Sequence, residues 1–530
     1  MRNFEIPGRS LVMSRRGMAA TSHPAATLTA VNVLQRGGNA IDAAVAACAV
    51  QCVVEPGSTG IGGDCFALLS RGGTDDIIGY NGAGRAPAAA TAEWYKAQGY
   101  SEIPRQSPHA VTIPGAVDAW ATLVRDHGTR DFGELLQPAI ELARDGYVIS
   151  PRVAADWANQ EALLRGNKDT ARIFLPGDRV PAAGTVHRQP ELATTLALIA
   201  EHGPDAFYRG PAATDMLECL QALGGLHTLD DFKSAKGDYV SPIKTKFRGY
   251  EVFECPPSGQ GVIALMILNI LAGFEAKGDP LSADRLHVEI EATRLAYSIR
   301  DAVLADPAQV DVPIEWLLSE KLAEQLRSQI DLKRALEAPP AYMPPNHRDT
   351  VYITVVDKER NAVSFINSLF HPFGSGLVSP KTGILLHNRG QSFVLEPGHP
   401  NAIAPGKRPL HTIIPGILVR DGKVQMPFGV MGGHYQAMGH AHLMTKIIDF
   451  GLDLQTAIAL PRLFPKPGTD QVEVEGTMPP DTRMELERRG FKLVPPSWAI
   501  GGAQAIWIDW NTGALYGGSD HRKDGCALGW

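Results

Sequence analysis

The chain is poor in cysteine, with 6 in 530 residues. A small scaffold held by disulfides would be shorter and far denser in cysteine, so that class is excluded. No CxxC pair occurs. Cys48 and Cys52 stand four apart on an apolar helical stretch, where two small core hydrophobes fit better than a metal pair. A basic excess is also lacking: 50 Lys and Arg face 57 Asp and Glu, a formal charge of −7. Binding nucleic acid by phosphate neutralisation usually needs the opposite balance. Long hydrophobic runs are missing too. The longest, near Val262–Ala272, is broken by Asn269 and falls short of the roughly 20 residues a membrane helix needs. At the N-terminus Arg2, Glu5, Arg9, Arg15 and Arg16 interrupt any run of signal-peptide length. These absences predict a cytoplasmic protein with no membrane or nucleic-acid partner. What the chain does have is 44% hydrophobic residues, 54 Gly and 39 Pro. A chain this long can bury a large core without metal or disulfide.

Periodicity predicts a helical hairpin first. Pro24 suits a first turn, Ala25–Arg36 follows with helical spacing, and Gly37-Gly38 stops it. Asn39 caps a second helix, Ala40–Val53, apolar nearly all round and therefore buried. A glycine-rich loop at Glu55–Asp64 leads to strands at Cys65–Leu69 and Asp76–Tyr80. Residues 111–330 read mainly as helices, with one strand at Tyr250–Glu254. The stretch 338–349 is proline-rich and reads as an extended linker. Directly after it, residues 350–357 and 362–369 carry strand propensity. Further strands are expected at Gly383–His387, Pro415–Val419, Gln504–Asp509 and Ala514–Tyr516, and a helix at Gln436–Phe450. Hairpins flanked by helices suggest layered α and β.

The linker-to-strand junction carries the sharpest chemistry. A hydroxyl residue, Thr350, opens a strand after a linker. Cleavage of the Asp349–Thr350 bond would give Thr350 a free α-amine with a pKa of roughly 8. That amine can act as base for its own hydroxyl. The same pattern also describes an ordinary linker before an ordinary strand. Gly429-Val-Met-Gly432-Gly433-His434 precedes a helix, so its amides could face an oxyanion or simply form a turn. The Gly57–Asp64 loop lacks GxxxxGK[ST] and GxGxxG, which excludes a nucleotide cradle. His434, His440 and His442 do not share a helical face, so no metal is expected. There is no GxSxG elbow.

Several segments together resemble the gamma-glutamyltransferase (gamma-glutamyltranspeptidase) family. They are GGNAIDAAVA (37–46), EPGSTGIGGD (55–64), AVTIPGAVDAW (110–120), ECPPSGQG (254–261), VVDKERNAVSF (355–365), FGSG (373–376), PGKRPL (405–410), GVMGG (429–433), DFGLDLQTAI (449–458) and GALYGGSDHRKDG (513–525). The resemblance implies an α+β fold, the four-layer αββα sandwich of N-terminal-nucleophile hydrolases. It implies a precursor that cuts itself into a large subunit, 1–349, and a small subunit, 350–530, forming one intertwined unit. It implies no cofactor, a small-molecule amide as substrate, and the two subunits of one precursor as partners, with a dimer of such pairs as a further expectation. Thr350 falls on the nucleophile, used both for autocleavage after Asp349 and for turnover. Gly432 and Gly433 fall on the oxyanion-binding amides, and Ser368 on a second hydroxyl that bonds the nucleophile.

The glutamyl clamp of the family is not kept. Its Arg falls on Ala83, with Arg85 two residues on. Its Asp falls on Ser392, its Asn on Phe370, and its Ser-Ser pair on His411-Thr412. Arg85, Arg389 and His411 are the groups expected to replace the clamp, with Ser392 and Thr412 as further substrate-binding positions. Loss of the Arg argues against tight binding of an ordinary gamma-glutamyl group. Expected activities are therefore amide hydrolysis or acyl transfer through a Thr350 acyl-enzyme. Glutathione hydrolysis with gamma-glutamyl transfer, oxamate-like amide hydrolysis, an acylase, and a non-catalytic binding relative are the alternatives.

Overall fold

A computed structural model describes residues 8–337 and 350–530 of the chain. The proline-rich stretch 338–349, with Asp349, lies outside them. Two seven-stranded antiparallel sheets form the centre. One runs in the order Val12–Ser14, Leu515–Ser519, Gly502–Ile508, Lys423–Met431, Gly416–Arg420, Tyr250–Glu254, Ile243–Phe247. The other runs Ala527–Gly529, Met18–Thr21, Val351–Val356, Ala362–Ser368, Asp64–Ser70, Ile77–Gly82, Asp238–Val240. Each sheet draws strands from both sides of residue 350. Neither part of the sequence holds a complete sheet.

Alternation along the strands explains the layering. Tyr352, Val356 and Ile366 pack with Ile417, Val419 and Ile506 in a core between the sheets. Ile353, Val355, Val363 and Phe365 face the other way, into a core under helices Pro24–Gln35, Ala40–Val54 and Phe132–Asp145. On the far side, helices Gly261–Leu271, Ala283–Val303 and Gln436–Ile448 cover Leu418, Met426, Phe428 and Val430. The result is helix, sheet, sheet, helix. Helix Ala40–Val54 is buried over its whole length. Its small Ala residues let it lie close to the sheet, and Asn39 with Asp42 closes a capping box at its start. Among the described residues no helix is long and apolar enough to cross a membrane.

Three expectations are corrected. Besides Tyr250–Glu254, the 111–330 region holds sheet strands Asp238–Val240 and Ile243–Phe247 and a ribbon of Tyr147–Val148 with Val186–His187. The strand expected at Gly383–His387 is only Leu385–Leu386, in a two-stranded ribbon with Leu377–Val378. The stretch before the Gly432-Gly433 turn is a nine-residue inner strand, Lys423–Met431, not just the approach to a helix. Pro427 and Gly429 hide it, because proline rarely sits inside a sheet.

Candidate active site

Thr350 and Ser368 meet at one end of the paired inner strands Val351–Val356 and Ala362–Ser368. Val351 pairs with Asn367, so one further step brings position 350 opposite position 368. Both side chains lie on the inward face, with Tyr352 and Ser364. Their hydroxyl oxygens are 3.2 Å apart and fully buried. Ser368 Oγ also accepts the Phe370 N–H at 2.9 Å. Gln436, which opens a helix just past the Gly432-Gly433 turn, points its Nε2 at Thr350 Oγ1 from 3.5 Å. Its Oε1 takes the Ile414 N–H at 3.2 Å, which fixes which end of the amide faces the threonine.

The turn itself needs glycine. Gly432 has φ +126° and Gly433 φ +58°, a backbone most side chains resist. A Cβ on Gly432 would also lie 2.9 Å from Gly501 Cα.

A ring of contacts joins these groups to the expected substrate-binding positions. The Arg389 guanidinium lies 4.1 Å from the Phe370 ring centroid. Its Nη1 donates to Thr412 Oγ1 at 3.0 Å. The Thr412 carbonyl accepts from Gln260 Nε2 at 2.9 Å, and the same nitrogen donates to the Gly433 carbonyl at 3.0 Å. Thr350, Ser368, Arg389, Thr412 and Gly433 are thus brought together.

Arg389 is the electrostatic centre of this ring. It is fully buried, yet among the described residues its Nε and Nη2 find no hydrogen-bond partner. Burial pulls its pKa down to about 9, opposed by the charge of Asp64. Unpaired donors on a buried cation cost several kcal/mol, so these two are suited to receive an anion.

Asp64 balances that charge. Its Oδ1 accepts the Gly84 N–H at 2.9 Å, and its Oδ2 accepts His411 Nε2–H at 3.0 Å. Burial alone would raise its carboxyl, but His387, His411 and Arg389 hold it at about 2. His411 is neutral, because burial and then Arg389 push it down to about 3. Its Nδ1 takes the Ile413 N–H at 3.3 Å. Both ring nitrogens of His411 therefore serve the fold.

Arg85 is held elsewhere. Its guanidinium pairs with Asp238 at 3.2 Å and Asp306 at 3.7 Å, and it is about one-third exposed. Arg408 donates to the carbonyl of Ala83, where the family Arg would stand, at 3.0 Å, and pairs with the same Asp238 at 2.7 Å. Ser392 closes the short turn Arg389–Ser392, and its buried hydroxyl oxygen has no hydrogen-bond partner among the described residues. Asp64, Gln260 and Gln436 belong to the site although local pattern did not single them out. Asp64 and Gln260 stand within the motifs that carry the resemblance, which was the signal available. No group of three or more His, Cys, Asp or Glu able to hold a metal occurs among the described residues.

A family profile described as gamma-glutamyltranspeptidase matches residues 26–530. The chain belongs to the gamma-glutamyltranspeptidase family. It is 37% identical to the glutathione hydrolase-like YwrD proenzyme of Bacillus subtilis, over 98% of this chain and 99% of that one. It is 36% identical to the oxamate amidohydrolase proenzyme of Klebsiella pneumoniae, over 98% of this chain and 99% of that one. The solved cephalosporin acylase from Bacillus halodurans superposes with a TM-score of 0.93 at 40% identity, over 100% of this chain and 99% of that one. Membership makes the protein an enzyme of the N-terminal-nucleophile hydrolase fold. The family relatives named as proenzymes fit a chain whose two parts share both sheets.

Proposed function

We propose that the protein is an autoprocessing amidohydrolase whose nucleophile is Thr350 and whose acyl substrate carries a carboxylate held by Arg389. The 3.2 Å contact between the Thr350 and Ser368 hydroxyls, at the head of strand Val351–Val356, carries the reading. In processing, Thr350 Oγ attacks the Asp349 carbonyl, the Asp349–Thr350 C–N bond breaks, and an ester forms. Water hydrolyses that ester and leaves a free Thr350 amine. In turnover this amine takes the Oγ proton as Oγ attacks the substrate amide. The leaving amine receives that proton, and water then releases the acid from the acyl-enzyme. The Gly432 and Gly433 amides face the oxyanion in each step.

The acyl group is read from charge. Arg389 offers two unpaired donors suited to a planar carboxylate. Ser392 supplies no negative charge for an α-amino group, and Arg85 is already paired. An acid without an α-amino group, such as a glutaryl or oxamyl amide, fits these groups better than a gamma-glutamyl one. Cytoplasmic location belongs to the same proposal.

The test is intact-mass analysis of purified protein followed by an anilide panel. Processing replaces the 530-residue chain by chains of 349 and 530 − 349 = 181 residues. Glutaryl 4-nitroanilide should turn over faster than the gamma-glutamyl and butyryl compounds. A Thr350→Ala protein that still cleaves at this bond refutes the nucleophile; equal rates for glutaryl and butyryl refute the carboxylate.

A further inference from the structure

Arg300 is fully buried on helix Ala283–Val303. A guanidinium in that position is costly unless each contact does something for it. Its Nε pairs with Asp301 at 2.7 Å, and its plane lies 4.3 Å from the Tyr297 ring centroid. The remaining contacts lead toward the glycine turn. Nη1 donates to Gln260 Oε1 at 3.0 Å and to His434 Nδ1 at 3.0 Å.

Each recipient holds one part of the turn. With Oε1 facing Arg300, Gln260 must present its Nε2 to the other side. There it donates to the carbonyls of Gly433 and Thr412. His434 directly follows the turn, and its own carbonyl accepts the Tyr297 hydroxyl. Backbone at Gly433 and His434 is thereby gripped at two carbonyls and one ring. Among the described residues the side-chain hydrogen bonds of Arg300 go to Asp301, Gln260 and His434, and none to Thr350.

We propose that Arg300 is a positioning residue for the oxyanion turn, acting through Gln260 and His434. This rests on the reading of Thr350 and the Gly432-Gly433 amides given above. Glycine gives the turn its shape but not its rigidity. Amides stabilise a tetrahedral intermediate only if they are already aimed, and misplacement by about 1 Å can cost about 100-fold. A ground-state acid or amide gains little from that aim, so the loss should fall on kcat.

The experiment uses processed enzyme carrying Arg300→Met, Arg300→Lys or Gln260→Leu. Kinetics are measured with the anilide that the wild type turns over fastest, glutaryl 4-nitroanilide on the present reading. Binding is measured for 4-boronobutanoic acid, whose boron accepts Thr350 Oγ to form a tetrahedral adduct, and for glutarate, which stays planar. Arg300→Met should lower kcat by about 10- to 100-fold with KM within about twofold, less than the loss from deleting an oxyanion donor outright. Affinity for the boronate should fall by the same factor, and that for glutarate within about twofold. Arg300→Lys should recover part of kcat. Wild-type kcat in Arg300→Met, or equal weakening of boronate and glutarate, overturns the proposal. If Arg300→Met does not fold, Gln260→Leu removes the Gly433 tie while the buried guanidinium keeps its Asp301 and His434 contacts, and it must give the same split; unaltered kcat there overturns it. Wild-type protein that neither cleaves before Thr350 nor turns over any anilide refutes the underlying reading instead.

Discussion

The Arg389 guanidinium rests on the Phe370 ring, and the Phe370 backbone N–H donates to Ser368 Oγ. One residue thus joins the buried cation to the hydroxyl pair. Phe370 holds φ +80° to do so, a region costly for a bulky side chain. Strain of this kind persists where surrounding structure enforces it. Here it sets the cation above the ring and the amide against the hydroxyl at once.

Arg389→Ala should lower kcat/KM for carboxylate-bearing acyl anilides by about 100-fold, roughly 3 kcal/mol for losing a buried charge pair. Most of the loss should be in KM. Neutral acyl anilides should change less than about threefold. Arg389→Lys should restore only part, because an ammonium cannot reproduce the planar fork. Steady-state kinetics on both substrate types checks this. Equal losses on both would move Arg389 from substrate binding to structure.

Ser368→Ala removes the hydroxyl beside Thr350 Oγ1 and leaves the Phe370 amide without its acceptor. Turnover should fall about 10- to 100-fold in kcat with KM little changed, and the precursor should process more slowly. A gel time course of the purified precursor, with kinetics on the processed enzyme, measures both. Unaltered processing with reduced kcat would separate the two roles of this hydroxyl.

Local pattern carried the helices well. Asn39 as cap, and Gly37 at φ +87°, made the first hairpin readable because capping and left-handed glycine act within a few residues. Strand Val351–Val356 was readable for the same reason, from its β-branched run. The short edge strands Val12–Ser14 and Ala527–Gly529 were not. They exist because distant segments pair, Val12 with Gly517 and Ala20 with Ala527, and three residues carry no periodicity. At its junction Thr350 was legible only as a candidate, because an ordinary linker before a strand has the same pattern. Its ring of partners was not, because Arg389, Thr412, Gln260 and Gly433 converge from four segments. Family motifs supplied most of those positions. Physical contacts then separated Arg389, with unpaired donors, from Arg85, held by two carboxylates, and from His411, held at both nitrogens.

Asp64→Asn should cost stability as well as activity. The carboxylate accepts from Gly84 and His411 and offsets the Arg389 charge. An amide keeps the shape but turns one acceptor into a donor and leaves Arg389 unbalanced. A loss of about 3–5 kcal/mol is expected for breaking a buried ionic set. Urea unfolding of the Thr350→Ala precursor with and without the change measures it. A loss below about 1 kcal/mol would mean that the Gly84 and His411 donors, not the charge, define the site.

Acid should unfold the protein as pH falls from about 6.5 toward 4, with buried histidines as the main cause; Glu291, pushed by burial up to about 7, takes up its proton in the folded state and offsets the share of one histidine. Burial pushes His23, His187, His227 and His442 down to about 4 and His411 to about 3. An unfolded histidine binds its proton near pH 6.5. Between pH 6.5 and 4 the unfolded chain therefore holds protons that the folded chain refuses, so falling pH favours unfolding. The stabilisation is complete above pH 6.5 and is lost as pH drops toward 4. Each histidine contributes about 1 kcal/mol per pH unit inside that window. Asp64, held at about 2, adds its own loss only below pH 4. Thermal midpoints of the single-chain Thr350→Ala protein should hold steady from pH 8 to 7 and then fall steeply. His187 allows a direct check, since its ring packs against Trp157 and Phe174 and its buried Nε2 has no partner among the described residues. His187→Phe keeps the aromatic contact and removes the proton site. It should flatten the slope between pH 6.5 and 4.5 by about 1 kcal/mol per pH unit, the share of one histidine. A parallel profile would show that His187 does not titrate on unfolding.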